Sequence, residues 1–452
     1  MTLKTLGLAA ATALLAFATP AHAKLSPQEA RMVEAVDKGH DRWINVLEAI
    51  TLQNSGSRNL AGVKKVGDMV TPELEKLGFK VEWVDQSAAK RSGHLIATRI
   101  GRPGSTKMLL IGHLDTVFEP DAPFQGVRRL NETTMEGPGI EDNKGGVITM
   151  FAALEAMQAA GTLSAATITI VLTGDEEDAG DPIDIARADL IKWGQWADVA
   201  LDFEGLSQVD GKDMGSIARR SSYSWQVNAT GKEGHSSGIF STSAGHGAIY
   251  ELARIIDQFH DELPEDKLTF NVGLIAGGTV AQLDADLVRA QAAGKTNIIP
   301  AQAIARGDFR TLSDEQSERV KAKMQAIVAQ HLPGTSAEII FEQGYPPMAP
   351  TEGNRALLKK LNGINADLGL EQMAELDPLK RGAGDISFVA RYVDGLVGMG
   401  PAGDGAHAPG ETVDLPSIKR QAKIDSWMML VFRKSMLLSA RRDGSRNSAS
   451  FG

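Results

Sequence analysis

The chain has 452 residues, of which 42% are hydrophobic, and a formal net charge of −10. This length and composition are typical of a soluble globular protein with two or three domains. The net charge is negative and the basic residues form no long run, which argues against nucleic acid as a partner. Cysteine is absent, so neither disulfide bonds nor thiolate metal ligands are available to the fold.

The first 23 residues have the pattern of a secretory signal peptide. Lys4 lies close to the initiating methionine, residues 6–17 are apolar, and Ala21-His22-Ala23 matches a small-residue cleavage site. The apolar run is too short for a permanent membrane span. We therefore expect cleavage after Ala23 and a secreted, periplasmic protein that has no membrane association once the signal is removed.

The segment from residue 24 to residue 216 alternates between helical and strand patterns. Apolar residues at helical spacing predict helices, whereas short apolar or alternating runs predict strands. Strands joined by helical connections predict an α/β fold, here a mixed, mostly parallel sheet with helices on both faces. Helices are predicted at 27–50, 63–77 and 147–158, and strands at 80–84, 94–100, 108–110, 166–172 and 199–203.

The rhythm changes near residue 215, where an α+β module is predicted to interrupt the sheet. Its strands are predicted at 223–230, 269–275, 303–310 and 337–342, and its helices at 244–259, 283–295 and 314–331. Helices at 354–367, 384–392 and 418–438 and a strand at 395–400 then rejoin the first half. The expected division is a main domain of 24–216 and 345–440, an inserted domain of 217–344, and a disordered tail of 441–452.

Histidines and carboxylates recur just beyond the ends of the apolar strands and in glycine-rich turns. The carboxyl ends of parallel strands meet at one edge of a sheet, and open α/β sheets bind their ligands there. The same pattern returns late in the chain, after the strand at 395–400. In chain order the candidate residues are His113, Asp115, Asp142, Glu176, Glu177, Asp202, Glu204 and His407.

Five of these side chains form a candidate metal-ligand set of two imidazoles and three carboxylates, namely His113, Asp142, Glu177, Glu204 and His407. Nitrogen and oxygen donors suit Zn²⁺, with Co²⁺ or Mn²⁺ as substitutes. Five ligands are too many for one tetrahedral zinc with an open position, but they fit two metals if one carboxylate bridges. Asp142 is the candidate bridge because its turn at 137–146 is rich in glycine. Asp115 is expected to fix the orientation of His113.

The adjacent pair Glu176-Glu177 indicates a division of labour. One carboxylate can hold a metal while the other remains free as a general base that moves a proton from water to a leaving amine. This chemistry hydrolyses amides. Taken alone, the pair is more typical of two solvated acids in a loop.

Six ordered motifs carry a resemblance that covers nearly the whole chain after the signal peptide. They are HLDTV at 113–117, GPGIEDNKGG at 137–146, TGDEED at 173–178, GHSS at 234–237, NIIP at 297–300 and HAPGE at 407–411. The chain resembles the carboxypeptidase G, aminoacylase and succinyl-diaminopimelate desuccinylase family of dizinc hydrolases, most nearly its glutamate carboxypeptidases. The resemblance implies a catalytic α/β domain, an inserted ferredoxin-like lid that often forms a homodimer, and two Zn²⁺ ions per chain.

The resemblance also assigns roles to individual positions. It makes Glu176 the general base and Glu177 a metal ligand. It also implies that His113 and His407 are ligands, that Asp142 is the bridging ligand and that Asp115 orients His113. In the lid, His235 is implied to stabilise the oxyanion, Arg310 to clamp a substrate carboxylate and Asn297 to orient the same end of the substrate. A salt bridge within the lid is the alternative role for Arg310.

Two segments depart from the family pattern. Relatives with a glutamate ligand usually continue Glu-Pro, whereas this chain has Glu204-Gly205, and others use an aspartate. Asp202 and Glu204 lie on the same face of a strand, so Asp202 is the alternative to Glu204, which we prefer. Gly382-Ala383-Gly384-Asp385 lacks the hydroxyl residue of the family's glycine-rich motif, which leaves substrate contacts there open.

The sequence therefore predicts a secreted dizinc exopeptidase that cleaves the amide next to a free carboxylate of a peptide or N-acyl amino acid. An N-acyl-amino-acid deacylase or a dipeptidase is the alternative within the family. A non-catalytic periplasmic peptide-binding protein is the alternative from another class. A free Glu176 beside a full ligand set argues against a binding protein, because binding alone needs no general base.

Overall fold

A mixed six-stranded sheet forms the main domain in the computed structural model, which describes residues 25–434. The three pairs built around Lys107–His113 and Val199–Asp202 are parallel, whereas the pairs at the other end are antiparallel. The predicted mixed, mostly parallel sheet is confirmed. The order of strands across the sheet is Lys80–Asp85, Gly93–Arg99, Thr167–Thr173, Lys107–His113, Val199–Asp202 and Gly395–Val397.

Helices cover both faces of this sheet, because its strands are apolar on both sides. Met108 and Leu110 pack into the larger apolar core with the first, third and last helices, whereas Leu109 and Ile111 pack into a second core on the opposite face. This alternation follows from the two-residue period of a strand. The helices of the main domain are Pro27–Leu52, Leu60–Lys76, Gly146–Ala159, Ile183–Ala186, Ala188–Trp196, Glu352–Asp367 and Leu415–Lys434.

The inserted segment forms an antiparallel sheet with the strand order Thr269–Gly278, Gln302–Arg310, Tyr223–Gly231 and Thr335–Phe341. Helices Ala248–Glu262 and Asp314–Val328 contribute apolar side chains to one shared core with this sheet. The chain order strand, helix, two strands, helix, strand gives the ferredoxin-like arrangement that was predicted. We refer to this unit as the lid.

Two backbone segments join the lid to the main domain, residues 216–222 and residues 342–348, which we name the first and second crossings. They run antiparallel to each other through backbone bridges between Arg219 and Met348 and between Ser222 and Tyr345. The amides and carbonyls of each pair exchange hydrogen bonds of 2.9–3.1 Å. The crossings therefore form a short two-stranded ladder between the lid and the main domain.

Two predicted helices are wrong. Residues 283–295 do not form a helix, because strands Val280–Leu283 and Ala290–Ala293 pair as a hairpin. The Asp284 carboxylate accepts the backbone N–H groups of Val288 and Arg289 and so stabilises the turn instead of a helix. The helix predicted at 384–392 shortens to one 3₁₀ turn, Asp385–Phe388, whose first residue forms a buried ion pair with Arg187.

Short strands complete the structure, and the two chain ends fall outside it. No helix within 25–434 is long and apolar enough to cross a membrane. The predicted signal peptide at 1–23 and the tail at 441–452 lie outside the described residues. The short strands are Arg128–Arg129, Thr134–Glu136, Gln208–Val209, Lys212–Gly215, Gly234–His235, Ile298–Ile299, Ala374–Glu375, Gly403–Asp404 and Thr412–Asp414.

Candidate metal centre and active site

Two histidines from distant parts of the chain converge on one carboxylate at the carboxyl edge of the main sheet. His113, the last residue of the central strand, places Nε2 3.0 Å from Oδ1 of Asp142. His407 places Nε2 3.1 Å from the other oxygen of Asp142 and 3.0 Å from Oε2 of Glu177. Glu204 completes the cluster, with Oε1 3.6 Å from Nε2 of His113.

These side chains form overlapping groups whose ligand atoms lie within 4.8 Å of one another. One group is His113, Asp142 and Glu204, and another is Asp142, Glu177 and His407. Asp142 belongs to both groups, as a bridging ligand must. A further group joins Glu176 to His113 and Glu177. The structure thus brings together all five residues of the predicted ligand set and the predicted base.

Glu411 positions the loop that presents Asp142, and sequence reasoning gave it no role. Its buried carboxylate accepts the backbone N–H groups of Gly139 at 2.8 Å, Glu141 at 2.8 Å and Asp142 at 3.0 Å. Glu411 therefore ties the late histidine segment to the early acidic turn. The available signal was its place four residues after His407 in the HAPGE motif.

Two glycines allow the close approach of the elements around Asp142. A Cβ on Gly146 would lie 1.9 Å from the carbonyl oxygen of Phe203, so only glycine lets this helix meet the strand that leads to Glu204. A Cβ on Gly205 would lie 1.4 Å from Oε1 of Glu141. Glu141 thus occupies the space that the side chain after Glu204 would need, which accounts for the departure from the Glu-Pro pattern.

Asp115 is buried and holds both members of the glutamate pair through their backbone. Its carboxylate accepts the N–H groups of Glu176 at 3.0 Å and Glu177 at 3.1 Å, and the hydroxyl of Ser57 at 2.6 Å. Nδ1 of His113 donates to the Asp115 carbonyl oxygen at 3.1 Å and lies 3.4 Å from its carboxylate. Asp115 therefore links the orientation of His113 to the position of the acidic loop.

Asp202 and Glu204 both face a buried arginine, Arg219, on the first crossing. Nη1 of Arg219 lies 3.3 Å from Oε2 of Glu204 and 3.7 Å from Oδ2 of Asp202. Asp202 belongs to none of the candidate metal groups found between residues 25 and 434, whereas Glu204 does. The geometry therefore favours Glu204 as the fourth ligand. No sequence pattern distinguished Arg219 from the many arginines elsewhere in the chain.

The density of acids shifts the proton affinities of the cluster. Burial, and then the charge of Glu204, raises the pKa of Glu176 well above its usual value. Burial, and then the charge of Asp142, raises the pKa of Glu177 to about 7. Burial opposes ionisation of Asp142, but hydrogen bonds with His113 and His407 outweigh burial and keep the pKa of Asp142 far below its usual value. The bonds to Asp142 and Glu177 raise the pKa of His407 to about 11.

The cluster fits a pair of small divalent cations. Its donors are nitrogen and oxygen atoms only, which suits Zn²⁺, Co²⁺ or Mn²⁺. Burial, and then the charge of Asp142, raise the pKa of Glu177, and bound cations would offset both effects. The ligand carboxylates and imidazoles must lose their protons before they can bind a metal.

The metal-free protein is expected to lose stability between pH 5.5 and 7.5. Burial raises the pKa values of Glu177 and Glu411 to about 7, so the folded state binds more protons than the unfolded state across this range, and stability falls as pH rises through the folded pKa. Thermal melting in chelator should give a lower Tm at pH 7.5 than at pH 5.5. Added Zn²⁺ should raise Tm more at pH 7.5, because bound protons no longer compete. An unchanged Tm across this range would contradict the shifts.

The lid residues named from the sequence lie outside this cluster. His235 is exposed, and its Nδ1 accepts the backbone N–H of Ser237 at 3.2 Å, which leaves Nε2 as the protonated nitrogen. Asn297 accepts the N–H of Ser236 through its backbone carbonyl, so it lies beside the His235 loop. Arg310 pairs with Asp308 at 3.2 Å. Among the described residues, no hydrogen bond or ion pair joins these three side chains to the cluster.

An α/β domain with this shared-carboxylate cluster and an unbonded glutamate beside it defines a metal-dependent hydrolase. The family model of Peptidase family M20/M25/M40 matches residues 109–426, so the chain belongs to that family. The match spans every residue of the cluster. The predicted class of enzyme, a metallopeptidase or amidohydrolase, is confirmed.

Named relatives agree with this assignment. The chain is 27% identical over 387 residues to carboxypeptidase G2 of Pseudomonas sp. (strain RS-16), covering 84% of this chain and 86% of the relative. It is 25% identical over 368 residues to succinyl-diaminopimelate desuccinylase of Bordetella parapertussis, covering 77% and 88%. The fold is similar to that of the Bacillus subtilis YXEP protein, a dinuclear metal-binding peptidase, with a TM-score of 0.60, 16% identity and coverage of 88% and 99%.

Proposed function

We propose that this protein is a dizinc exopeptidase of the carboxypeptidase type, which hydrolyses the amide bond next to a free carboxylate in a peptide or N-acyl amino acid. His113, Asp142 and Glu204 would hold one zinc ion, and Asp142, Glu177 and His407 the other. Glu176 would act as the general base. The family membership and the 27% identity to carboxypeptidase G2 support the substrate class.

The single observation that carries the proposal is the state of Glu176. Its carboxyl group lies within the ligand cluster, yet within residues 25–434 no hydrogen bond or ion pair engages its oxygens. Its backbone N–H is held by Asp115 at 3.0 Å. A carboxylate that is fixed through its backbone but free at its oxygens is available to take a proton.

The residues around the cluster can divide the reaction between them. Bound cations would polarise the scissile carbonyl and lower the pKa of the attacking water. Glu176 takes the proton from that water and delivers it to the leaving amine. His235 lies outside the cluster of its own chain, so its proposed role as a hydrogen-bond donor to the oxygen on which negative charge develops requires movement of the lid or a second copy of the chain.

Two arginines at the border of the lid support recognition of a substrate carboxylate. Burial, and then the nearby charge of Arg310, lower the pKa of Arg220, so these two cations lie near each other. The hypothetical Cβ of Gly382 would lie 3.9 Å from Nη1 of Arg310, and Arg219 donates to the Gly382 carbonyl at 2.7 Å. Gly382 thus lies between Arg310 and Arg219, the side chain that contacts Glu204. A free substrate carboxylate would join Asp308, which already pairs with Arg310, in offsetting the charge of the two arginines.

The decisive experiment measures metal content and hydrolysis together on the protein purified from the exported fraction. The substrates are a dipeptide with C-terminal glutamate, a neutral dipeptide and N-succinyl and N-acetyl amino acids. Two zinc ions per chain and chelator-sensitive cleavage, fastest for the glutamate dipeptide, are expected. Faster cleavage of the acylated substrates would move the assignment to a deacylase. Full metal content with no cleavage of any substrate would contradict the exopeptidase proposal and favour a binding protein.

Glu204→Gln is expected to remove the metal that His113 shares with it, whereas Asp202→Asn should retain both metals. Glu204 lies within ligand distance of His113 and Asp142, but Asp202 faces Arg219. The two carboxylates are two residues apart and both face Arg219, so the pair is a matched comparison. Metal analysis after dialysis decides between them. Loss of metal from Asp202→Asn alone would exchange the two assignments.

We further propose a homodimer that forms through the lid and export to the periplasm. Strand Thr269–Gly278 is an edge of the lid sheet, and Ile275 on it is 60% exposed, which suits pairing with a second copy. Light scattering should give twice the chain mass, and Ile275→Lys should give the monomer.

N-terminal sequencing of periplasmic protein should begin at Lys24, and retention of residues 1–23 would contradict cleavage.

A further inference from the structure

A fully buried arginine organises the back of the acidic loop. Nη1 of Arg187 donates to the Asp175 carboxylate at 2.6 Å, and its Nε lies 2.9 Å from Asp385. Nη2 donates to the carbonyl oxygen of Asp175 at 2.9 Å and to the hydroxyl oxygen of Tyr345 at 2.6 Å. Arg187 therefore binds the residue before Glu176 and orients the Tyr345 hydroxyl.

The Tyr345 hydroxyl in turn donates to the backbone carbonyl of Glu176 at 2.7 Å. Because Arg187 occupies the hydroxyl oxygen as a donor, the hydroxyl proton is directed to that carbonyl. On the other side, Asp115 accepts the N–H of Glu176. The backbone of Glu176 is thus held at both its amide and its carbonyl while its carboxyl group stays unbonded.

Tyr345 belongs to the second crossing, not to the main sheet. Its backbone exchanges hydrogen bonds of 2.9 and 3.1 Å with Ser222 of the first crossing. Its ring packs edge-on against Phe388, with centroids 4.9 Å apart. A change in the angle of the lid must pass through these crossings, so it would move the hydroxyl that holds Glu176.

We propose that Tyr345 is a positioning residue for Glu176, through which the hinge between lid and main domain sets the place of the general base. This inference rests on the proposed role of Glu176. The hydrogen bond to the Glu176 carbonyl fixes the peptide from which the carboxyl group projects. Its loss leaves the ligands in place but lets the base sample unproductive positions, so kcat falls while substrate binding persists.

A purely structural role is the alternative, because Tyr345 also packs against Phe388. Tyr345→Phe separates the two, since it keeps the ring and removes only the hydroxyl. Tyr392→Phe is the matched control. Tyr392 lines the same 320 Å³ cavity between lid and main domain as Arg187 and Phe388, but its hydroxyl makes no hydrogen bond in the described part of the chain.

The experiment compares wild type, Tyr345→Phe and Tyr392→Phe by steady-state kinetics, metal content and hydrogen–deuterium exchange of a peptide covering 174–178. For Tyr345→Phe we expect kcat to fall about tenfold, which corresponds to the free energy of roughly one hydrogen bond. KM and metal content should be unchanged. Hydrogen–deuterium exchange of 174–178 should become faster, because the Tyr345 hydroxyl no longer holds the backbone that carries the Glu176 and Glu177 amides. Tyr392→Phe should match wild type.

Wild-type kcat and exchange in Tyr345→Phe would overturn the proposal. An equal loss in Tyr392→Phe, or a loss of metal from Tyr345→Phe, would also overturn it by showing a general structural defect. If wild type hydrolyses none of the substrates, the proposed function has failed and the exchange measurement still decides the positioning. Faster exchange confined to Tyr345→Phe then supports it, and unchanged exchange rejects it.

Discussion

Replacing Glu176 by glutamine is expected to leave both metals bound and to lower kcat by about 10²- to 10⁴-fold, the range that general acid–base catalysis contributes. Glutamine keeps the size of the side chain but cannot accept the proton of the attacking water. The Glu176 oxygens make no bond within the described structure that the substitution would break. Its backbone remains held by Asp115 and Tyr345. Steady-state kinetics and metal analysis on the same preparation measure both effects.

Asp178→Asn is the control, because Asp178 lies in the same acidic loop but pairs with two arginines instead of joining the metal groups. Its carboxylate pairs with Arg58 at 2.7 Å and Arg91 at 2.8 Å. Asp178 belongs to none of the metal groups among residues 25–434, so turnover should stay near the wild-type value. A Glu176→Gln enzyme with near-wild-type kcat would show that another group moves the proton. Loss of metal from it would instead make Glu176 a ligand.

The sequence predicts the cluster well because its members are fixed by local geometry. His113, Asp115 and the Glu176-Glu177 pair follow buried strands, and neighbouring parallel strands end at one edge. The structure indeed aligns His113 with Thr173, three residues before Glu176. Strand ends and glycine-rich turns are visible in sequence, so the carboxylates and histidines that lie there can be assigned to one site.

The residues that support the cluster could not be predicted in the same way. Glu411 acts on backbone amides some 270 positions earlier, and Tyr345 on a carbonyl 169 positions earlier. Such contacts depend on the packing of whole domains, which leaves no local spacing to read. The helix prediction for 283–295 fails for a related reason. Strand pairing and the turn held by Asp284 override the helix-forming tendency of the residues there.

Asp142→Asn is expected to have the other large effect, the loss of both metals and of at least about 10³-fold in kcat, since each cation supplies several kcal/mol of charge stabilisation. The Asp142 oxygens face His113 at 3.0 Å and His407 at 3.1 Å. An amide offers one neutral oxygen where two charged ones stood, so it cannot bridge two cations. Metal analysis at a series of free zinc concentrations would show the loss directly.

Glu141→Gln, one residue earlier in the same turn, is the matched control for Asp142→Asn. Burial and the charge of Asp142 raise the pKa of Glu141 well above its usual value, and glutamine keeps the size and shape of this side chain. Glu141 also belongs to none of the metal groups among residues 25–434. Metal binding should therefore survive this change. If Asp142→Asn retained one tightly bound metal, Asp142 would serve a single cation and the shared-carboxylate arrangement would have to be abandoned.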